Sequence, residues 1–185
     1  MRSLFFRLLV VGGCVAFAGG CSTWTTEEIR TTFDSGVAAY DAGNYEEAYK
    51  IFDSLDDIDP AAMRNAGLML RKGQGVSKDP KAALRILTRA ANDGLATAAA
   101  DVGEMLLNGE AGPANPKAAL PWLEGAAEAG HPIAEYELGT LYEAGSVVPK
   151  DLGKARTLYA DAAARGVPGA AERLAALPPN PKSGP

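Results

Sequence analysis

The feature that most constrains the fold of this chain is a repeat of 36 residues that runs through most of its length. Glycine and alanine recur at this spacing in seven columns that share one register. Self-similarity with a period of about 20 to 50 residues is typical of solenoids, in which each unit covers the apolar face of its neighbour. The columns are Gly94, Gly130 and Gly166; Gly67, Gly103 and Gly139; Gly73, Gly109 and Gly145; Ala62, Ala98, Ala134 and Ala170; Ala83, Ala119 and Ala155; Ala90, Ala126 and Ala162; and Ala91, Ala127 and Ala163.

Each repeat unit is predicted to form two helices. In the third unit, small and apolar residues recur at helical spacing up to Ala144, and Gly145 is placed to end the helix in a left-handed turn. Asp151 follows at a position where its carboxylate can accept backbone N–H groups and begin the second helix. Asp79 and Asn115 stand at the equivalent positions of the other units. The predicted fold class is therefore all-α, an α/α solenoid of helix-turn-helix repeats.

The repeat also carries the motif of a known family. The matching residues are Leu138, Gly139, Tyr142, Gly145, Asp151, Lys154, Ala155, Leu158, Tyr159, Ala162, Ala163 and Gly166 in the third unit, and Gly73, Gln74, Gly75, Val76 and Asp79 in the first. In this pattern, residues 61–95, 96–131 and 132–167 resemble three Sel1-like repeats, which are related to the tetratricopeptide repeat. The second unit departs from the family in its loop, residues 110–113, so the resemblance does not define the shape of that loop.

The segments on either side of the three units are predicted to complete the stack. Residues 27–60 resemble a tetratricopeptide repeat, and Thr25 and Asn44 each begin a capping-box pattern that opens a helix. Residues 168–177 are predicted to form a short helix that covers the open end of the solenoid. The proline-rich residues 178–185 are predicted to be a disordered tail. The residues that carry the tetratricopeptide resemblance are Gly36, Gly43, Tyr45, Ala48, Phe52, Leu55 and Pro60.

Residues 1–20 have the features of a removable secretory signal. Arg2 and Arg7 make the start of the chain basic, and a run of 13 apolar or small residues follows from 8 to 20. A helix that spans a bilayer needs about 20 apolar residues, so a permanent transmembrane anchor is not expected.

The end of this signal resembles the lipobox of bacterial lipoproteins. Ala18-Gly19-Gly20-Cys21 places small residues before a cysteine, which implies lipidation of Cys21 and membrane attachment through that lipid. Residues 21–26 would then form a short tether. Ser22 stands where aspartate retains many Gram-negative lipoproteins in the inner membrane, which implies an outer-membrane protein that faces the periplasm. The alternatives are a plain signal peptide that ends beside a cysteine, or lipidation at Cys14.

Charge and cysteine content exclude several classes of function. The chain has 18 lysines and arginines, of which Arg2 and Arg7 leave with the signal, against 23 aspartates and glutamates, so the remaining net charge is −7. An acidic chain without a basic stripe is a poor ligand for nucleic acid, and no such partner is predicted. Cys14 and Cys21 are the two cysteines, so no disulfide framework is available to the folded part.

No group of residues predicts catalysis, a cofactor or a metal site. His131 is the one histidine and is expected to be a solvated turn residue, which leaves no Ser-His-Asp triad and no His/Cys zinc cluster. Residues 73–78 lack the spacing of a phosphate loop, and the acidic run 53–59 lacks the glycine and terminal glutamate of an EF-hand and is read as a solvated helix end. Some Sel1-like proteins linked to β-lactams carry paired cysteines in their repeats, which this chain lacks. The chain is therefore predicted not to be an enzyme.

The resemblance implies a binding function, since the first helix of each unit lines the concave side of tetratricopeptide-like solenoids. The implied role is a membrane-anchored scaffold or adaptor that binds other envelope proteins or peptides in polysaccharide export, secretion or cell-wall assembly. The alternatives are a regulator of a periplasmic cell-wall enzyme and, outside the binding class, a hydrolase. The apolar members of the concave face either contact a partner or cover the edge of the core. By register, the contact residues are Arg64, Leu68, Arg71, Ala100, Glu104, Leu107, Tyr136, Thr140 and Glu143.

Overall fold

The computed structural model describes residues 24–179, and this part of the chain contains nine α-helices and no strand. The predicted signal peptide, Cys21 and residues 180–185 of the predicted tail lie outside the described residues. No helix within 24–179 is both long enough and apolar enough to cross a membrane. The helices are α1 (Thr26–Asp41), α2 (Tyr45–Asp53), α3 (Pro60–Lys72), α4 (Pro80–Asn92), α5 (Ala96–Asn108), α6 (Pro116–Glu128), α7 (Pro132–Ala144), α8 (Leu152–Ala164) and α9 (Ala170–Ala176).

The helices pack in chain order as four pairs followed by a closing helix. The contacts within a pair, such as α3 with α4 or α5 with α6, are the most extensive, and each pair also packs against the next. The helix α9 packs against α8 at the end of the stack, where Leu177 joins the core around the fully buried Tyr159. This arrangement confirms the predicted α/α solenoid.

Local signals in the sequence account for most helix boundaries. The side chains of Asp59, Asp79, Asn115 and Asp151 each accept a hydrogen bond from the backbone N–H of the third residue of the helix that follows. The first helix of each repeat ends at a glycine with a left-handed backbone, for example Gly145 with φ of +68°. The second helix of each unit therefore begins, and the first helix ends, at the residues that the sequence predicts.

The two predicted capping boxes have different outcomes. The Thr25 hydroxyl accepts a hydrogen bond from the Glu28 N–H at 3.2 Å, and the Glu28 carboxylate accepts one from the Thr25 N–H at 2.8 Å. The box at Thr25 is therefore confirmed. At Asn44 the prediction is wrong, because the Asn44 side chain makes no capping hydrogen bond to α2.

The glycine column at Gly67, Gly103 and Gly139 marks the closest approach of the two helices within each repeat. A Cβ atom at Gly103 would lie 2.5 Å from a methyl carbon of Leu123, which is 1% exposed. Equivalent atoms at Gly67 and Gly139 would lie 2.8 Å from Leu87 and Tyr159. Only glycine leaves room for these large side chains, so the column records a packing requirement rather than a need for unusual backbone angles.

The acidic run at residues 53–59 joins the first helix pair to the second. Asp56 pairs with Arg89 of α4 at 3.2 Å, Asp57 pairs with the same arginine, and Asp59 caps α3. The prediction of a purely solvated helix end is therefore wrong for this segment, because its carboxylates have partners in the next unit. These pairs are largely exposed, so each contributes little to stability and they act mainly in positioning the two units.

Candidate protein-binding face

The first helices of the repeats share one face of the solenoid. Helix α5 contacts α7 directly and ion pairs join α3 to α5, whereas α4, α6 and α8 do not contact one another to this extent within residues 24–179. Direct contact and ion pairs therefore link the first helices of successive repeats to one another. This side is called the inner face here and consists of the partly exposed residues of α3, α5 and α7.

Eight of the nine predicted contact residues lie half-buried on the inner face, and one does not. Ala100 is 4% exposed and belongs to the core that α5 forms with α6 and α7, so its predicted place among the contact residues is wrong. A methyl side chain at this position serves helix packing and offers nothing to a partner. The eight are Arg64, Leu68, Arg71, Glu104, Leu107, Tyr136, Thr140 and Glu143.

The three apolar residues of this set also cover the edges of the core. Leu68 and Leu107 each pack against a buried cluster, and the Tyr136 ring lies 5.6 Å from the ring of Tyr159. All three residues therefore cover the edge of the core, which is one of the two roles that the sequence left open. Their contact with a partner stays a prediction.

The two arginines on α3 are held by acidic residues of the next repeat. Arg64 Nε donates to Asp101 at 2.6 Å, and Arg71 pairs with Glu104 at 3.1 Å and with Glu110 through two further hydrogen bonds. Asp101 and Glu110 were missed from the sequence, although they follow their partners by 37 and 39 residues, close to one repeat. A search for opposite charges separated by about one repeat would have found both pairs.

Burial and ion pairing shift the pKa values of these carboxyl groups in opposite directions. The hydrogen bonds from Arg71 lower the pKa of Glu110. Burial raises the pKa of Asp101 and outweighs the effect of Arg64 beside it. The positive charges of Arg64 and Arg71 are thus largely neutralised within the solenoid and are poorly placed to attract an acidic partner.

At the C-terminal end of the inner face, Glu143 is also committed to internal contacts. Its carboxylate accepts a hydrogen bond from the Tyr159 hydroxyl at 2.7 Å and lies 3.4 Å from the Arg173 guanidinium. Burial, together with this carboxylate, raises the pKa of the Tyr159 hydroxyl well above its ordinary value. Glu143 therefore connects α7 to α8 and α9, which the sequence did not predict.

Glu137 is an acidic residue of the inner face that the sequence analysis missed. Its side chain is half-buried on the inner face, and it forms no ion pair within residues 24–179. Burial raises its pKa, and the negative charge of Glu104 adds to the effect. An ionised carboxylate at this position therefore costs the folded chain free energy at neutral pH.

This cost predicts a pH dependence. An acid with a higher pKa in the folded than in the unfolded chain stabilises the fold as the pH falls through the folded pKa toward its ordinary value of 4.5. We expect the free energy of unfolding of the wild type to gain more than that of Glu137→Gln between pH 7 and pH 5. Urea unfolding followed by circular dichroism measures both. The exposed Glu47→Gln is the control, and an equal gain in wild type and Glu137→Gln would contradict the assignment.

His131 has a structural role that differs from its predicted one. Its Nδ1 accepts a hydrogen bond from the Ala134 N–H at 3.4 Å and so caps α7. Burial lowers the pKa of the imidazole, against the effect of nearby Asp101, which favours the neutral form that can accept this bond. The prediction of a solvated turn residue is wrong in this respect, since the side chain is half-buried and capping.

These features define a class of protein, a helix-turn-helix repeat solenoid whose first helices share a partly exposed face. The Sel1 repeat family matches residues 60–95, 96–131 and 132–167, which is more than half of the chain. The chain therefore belongs to the Sel1 repeat family. Its members are generally non-catalytic scaffolds for protein–protein interaction. The match begins one residue earlier than the predicted first unit.

Solved structures of Sel1 repeat proteins are similar to this chain. A Sel1 repeat protein from Oxalobacter formigenes has a TM-score of 0.71 and 34% identity, over 77% of this chain and 58% of that protein. The protein c5321, a protective antigen of uropathogenic Escherichia coli with an SLR fold, has a TM-score of 0.73 and 25% identity, over 79% of this chain and 32% of that protein. The chain thus spans less than two thirds of both. Comparison with curated proteins found no match.

A more distant structure shows the fold alone. The Helicobacter pylori cysteine-rich protein B has a TM-score of 0.51 and 17% identity, over 81% of this chain and 98% of that protein. The shared solenoid is formed here without cysteines in the repeats. Packing of the alanine and glycine columns, rather than disulfides, therefore holds the repeats of this chain together.

Proposed function

We propose that this protein is a lipid-anchored adaptor that binds another protein of a bacterial cell-envelope complex through its inner face. Lipidation of Cys21 would hold the solenoid within a few residues of a membrane, because α1 begins at Thr26. Stable attachment by acyl chains needs two or more of them, which the multi-acyl anchor of lipoproteins supplies. The outer membrane, facing the periplasm, is the proposed location, and polysaccharide export, secretion or cell-wall assembly is the proposed context.

The proposal rests on a difference between two parts of the inner face, the paired charges on α3 and the partly exposed polar residues on α7. Along α3 and α5, the charged side chains of Arg64 and Arg71 are paired with carboxylates of the solenoid itself. On α7, Glu137 and Thr140 are partly exposed, and Glu137 has no ion pair within residues 24–179. A partner that brings a positive charge or a hydrogen-bond donor to α7 would relieve the cost of this half-buried carboxylate, which the charge of Arg173 offsets only in part.

The proposal predicts the effect of a bulky cation on α7. We expect Thr140→Arg to remove the protein from its complex, because the long side chain would occupy the groove where the partner binds. Thr157→Arg, at an exposed position of α8 on the second-helix side, is the matched control and should leave the complex intact. Native gel electrophoresis of envelopes solubilised in mild detergent measures the size of the complex, and circular dichroism checks that both variants fold.

Retention of the complex by Thr140→Arg, or its equal loss from Thr157→Arg, would contradict binding through the inner face.

Membrane fractionation and fatty-acid labelling test the lipid anchor. We expect Cys21→Ser to be lost from the membrane fraction and to incorporate no labelled fatty acid. The mature protein made from Cys14→Ser should behave as the wild type. Fatty-acid labelling of Cys21→Ser would contradict the assignment of the lipid.

A further inference from the structure

The start of the described chain exposes an aromatic side chain close to the proposed lipid anchor. Trp24 is 42% exposed and is one of three large apolar side chains that are exposed within residues 24–179. The other two, Tyr45 and Ile133, lie in the first turns of α2 and α7. Trp24 directly precedes the cap of α1 and follows Cys21 by three residues. An exposed indole ring therefore lies beside the point at which the lipid would be attached.

A hollow of about 220 Å³ lies beside the first two turns of α1, between this helix and the start of α3. Its α1 residues follow Thr26 by three, four and seven positions, so they form one face of the helix. Ile29 and Phe33 are half-buried there, and Arg30 is exposed. Trp24 and the residues that line the hollow are called the N-terminal patch here. The lining residues are Thr26, Ile29, Arg30, Phe33, Asp59 and Ala61.

We infer that the N-terminal patch docks onto the headgroup layer of the bilayer that anchors the protein, and so fixes how the solenoid is oriented on the membrane. The inference rests on the proposed lipidation of Cys21. Three residues span at most about 11 Å, and the headgroup layer of one leaflet is about 5–7 Å thick. A lipid on Cys21 therefore keeps Trp24 within about one headgroup thickness of the surface. Tryptophan favours this depth because its ring is apolar and its N–H is polar.

The charges of the patch and of the first turn of α1 determine which membrane surface fits. Arg30 pairs with Glu27 at 2.8 Å, the Glu28 carboxylate is held in the capping box, and the Asp59 carboxylate caps α3. Three carboxylates against one guanidinium make this end of the chain acidic. Anionic lipid attracts basic segments and therefore gains nothing from this patch. A zwitterionic phospholipid surface is the partner that fits, since it accepts the indole ring without repelling the carboxylates.

Two adjacent positions of α1 distinguish docking from mere tethering. Arg30 and Thr31 are both exposed and are almost equally far from Cys21 in sequence, but they differ by about 100° around the helix. Docking places position 30 at the headgroups and turns position 31 away from them. A solenoid that swings freely on its tether exposes both positions to lipid equally. Tyr45 lies beyond the opposite end of α1, about 24 Å along a helix of 16 residues, and serves as the distant control.

The test uses the lipidated protein in vesicles of phosphatidylcholine brominated next to the headgroup, which quenches fluorophores by contact. A single new cysteine, in Arg30→Cys, Thr31→Cys or Tyr45→Cys, carries the fluorophore NBD, and circular dichroism checks folding. We expect quenching at position 30 to exceed quenching at position 31 at least twofold, with none at position 45. Trp24→Ser should abolish the difference between positions 30 and 31. Ile133→Ser, which removes an equally exposed apolar side chain from α7, should retain it.

Equal quenching at positions 30 and 31, or a difference that Trp24→Ser leaves unchanged, would overturn the inference. A difference that appears only after anionic phosphatidylglycerol is added would contradict the zwitterionic surface. Protein that does not float with the vesicles would overturn the proposed anchor and this inference together. Protein that floats but is quenched equally at both positions would overturn this inference alone. Loss of the envelope complex in Thr140→Arg does not depend on Trp24, so binding through the inner face is tested separately.

Discussion

Replacing Gly75 by alanine is expected to lower the free energy of unfolding by about 3 kcal/mol. Gly75 has a left-handed backbone, with φ of +71°, and its missing Cβ would lie 2.2 Å from the carbonyl carbon and oxygen of Tyr45. The left-handed conformation costs an alanine about 1–2 kcal/mol, and forcing an extra carbon into a packed contact costs a further 1–3 kcal/mol or so. The clash is with backbone atoms at the start of α2, which a rotamer change cannot relieve.

Gly43 provides the matched control for this prediction. It has the same kind of backbone, with φ of +79°, but a Cβ there would meet nothing within 4 Å. Gly43→Ala should therefore cost only the conformational part, about 1–2 kcal/mol. Urea unfolding followed by circular dichroism compares the two. If both variants lost the same free energy, the contact between the loop after α3 and the start of α2 would not be the source of the effect.

The second large effect is expected at the helix crossing of the middle repeat. Gly103→Leu should destabilise the chain by about 3 kcal/mol, because even a Cβ would approach Leu123 Cδ2 to 2.5 Å and Cγ to 2.7 Å. Leu123 is 1% exposed and lies within the packed core of the solenoid. Gly103→Ala should fall between this variant and the wild type, since it adds one carbon and gains helix propensity.

Gly125 on α6 is the control position that separates the effect of packing on stability from the effect of helix propensity. It is exposed, and a Cβ there would meet nothing within 4 Å. Gly125→Leu should therefore stabilise the chain by roughly 0.5–1 kcal/mol through helix propensity alone. Thermal and urea unfolding of the two leucine variants measure the difference. A stabilised Gly103→Leu would show that α5 and α6 do not approach each other as closely as the structure indicates.

The helices and their packing could be read from the sequence because they depend on local and periodic signals. A capping aspartate such as Asp151 and a terminating glycine such as Gly145 act within a few residues, and the structure has both. The column at Gly103 requires only the repeat of 36 residues to be recognised. Such signals do not depend on the position of distant side chains.

The charged contacts of the inner face could not be read in the same way. Arg71 was placed on that face correctly, but its pairing with Glu104 and Glu110 depends on the angle between successive units. The same is true of Ala100, where register predicts exposure but the adjoining core of α6 and α7 encloses the side chain. Helical register gives the direction of a side chain, whereas its burial depends on how the neighbouring helices cross.

The sequence therefore predicted which face of the solenoid holds the candidate site, and the structure changed the set of residues on that face. Glu137 and Lys72 were not among the predicted contacts, yet both carry charges that no ion pair within residues 24–179 neutralises. Helix register would place Lys72 one residue beyond Arg71, on the edge of the inner face.

Site-specific photo-crosslinking in living cells tests the central claim, that the inner face binds a partner protein. A photoreactive amino acid replaces Thr140 on α7 in one strain and the exposed Thr157 on α8 in another. We predict a discrete crosslinked partner from position 140 and none from position 157. The same partner from both positions, or from position 157 alone, with the protein folded and membrane-bound, would contradict binding through the inner face.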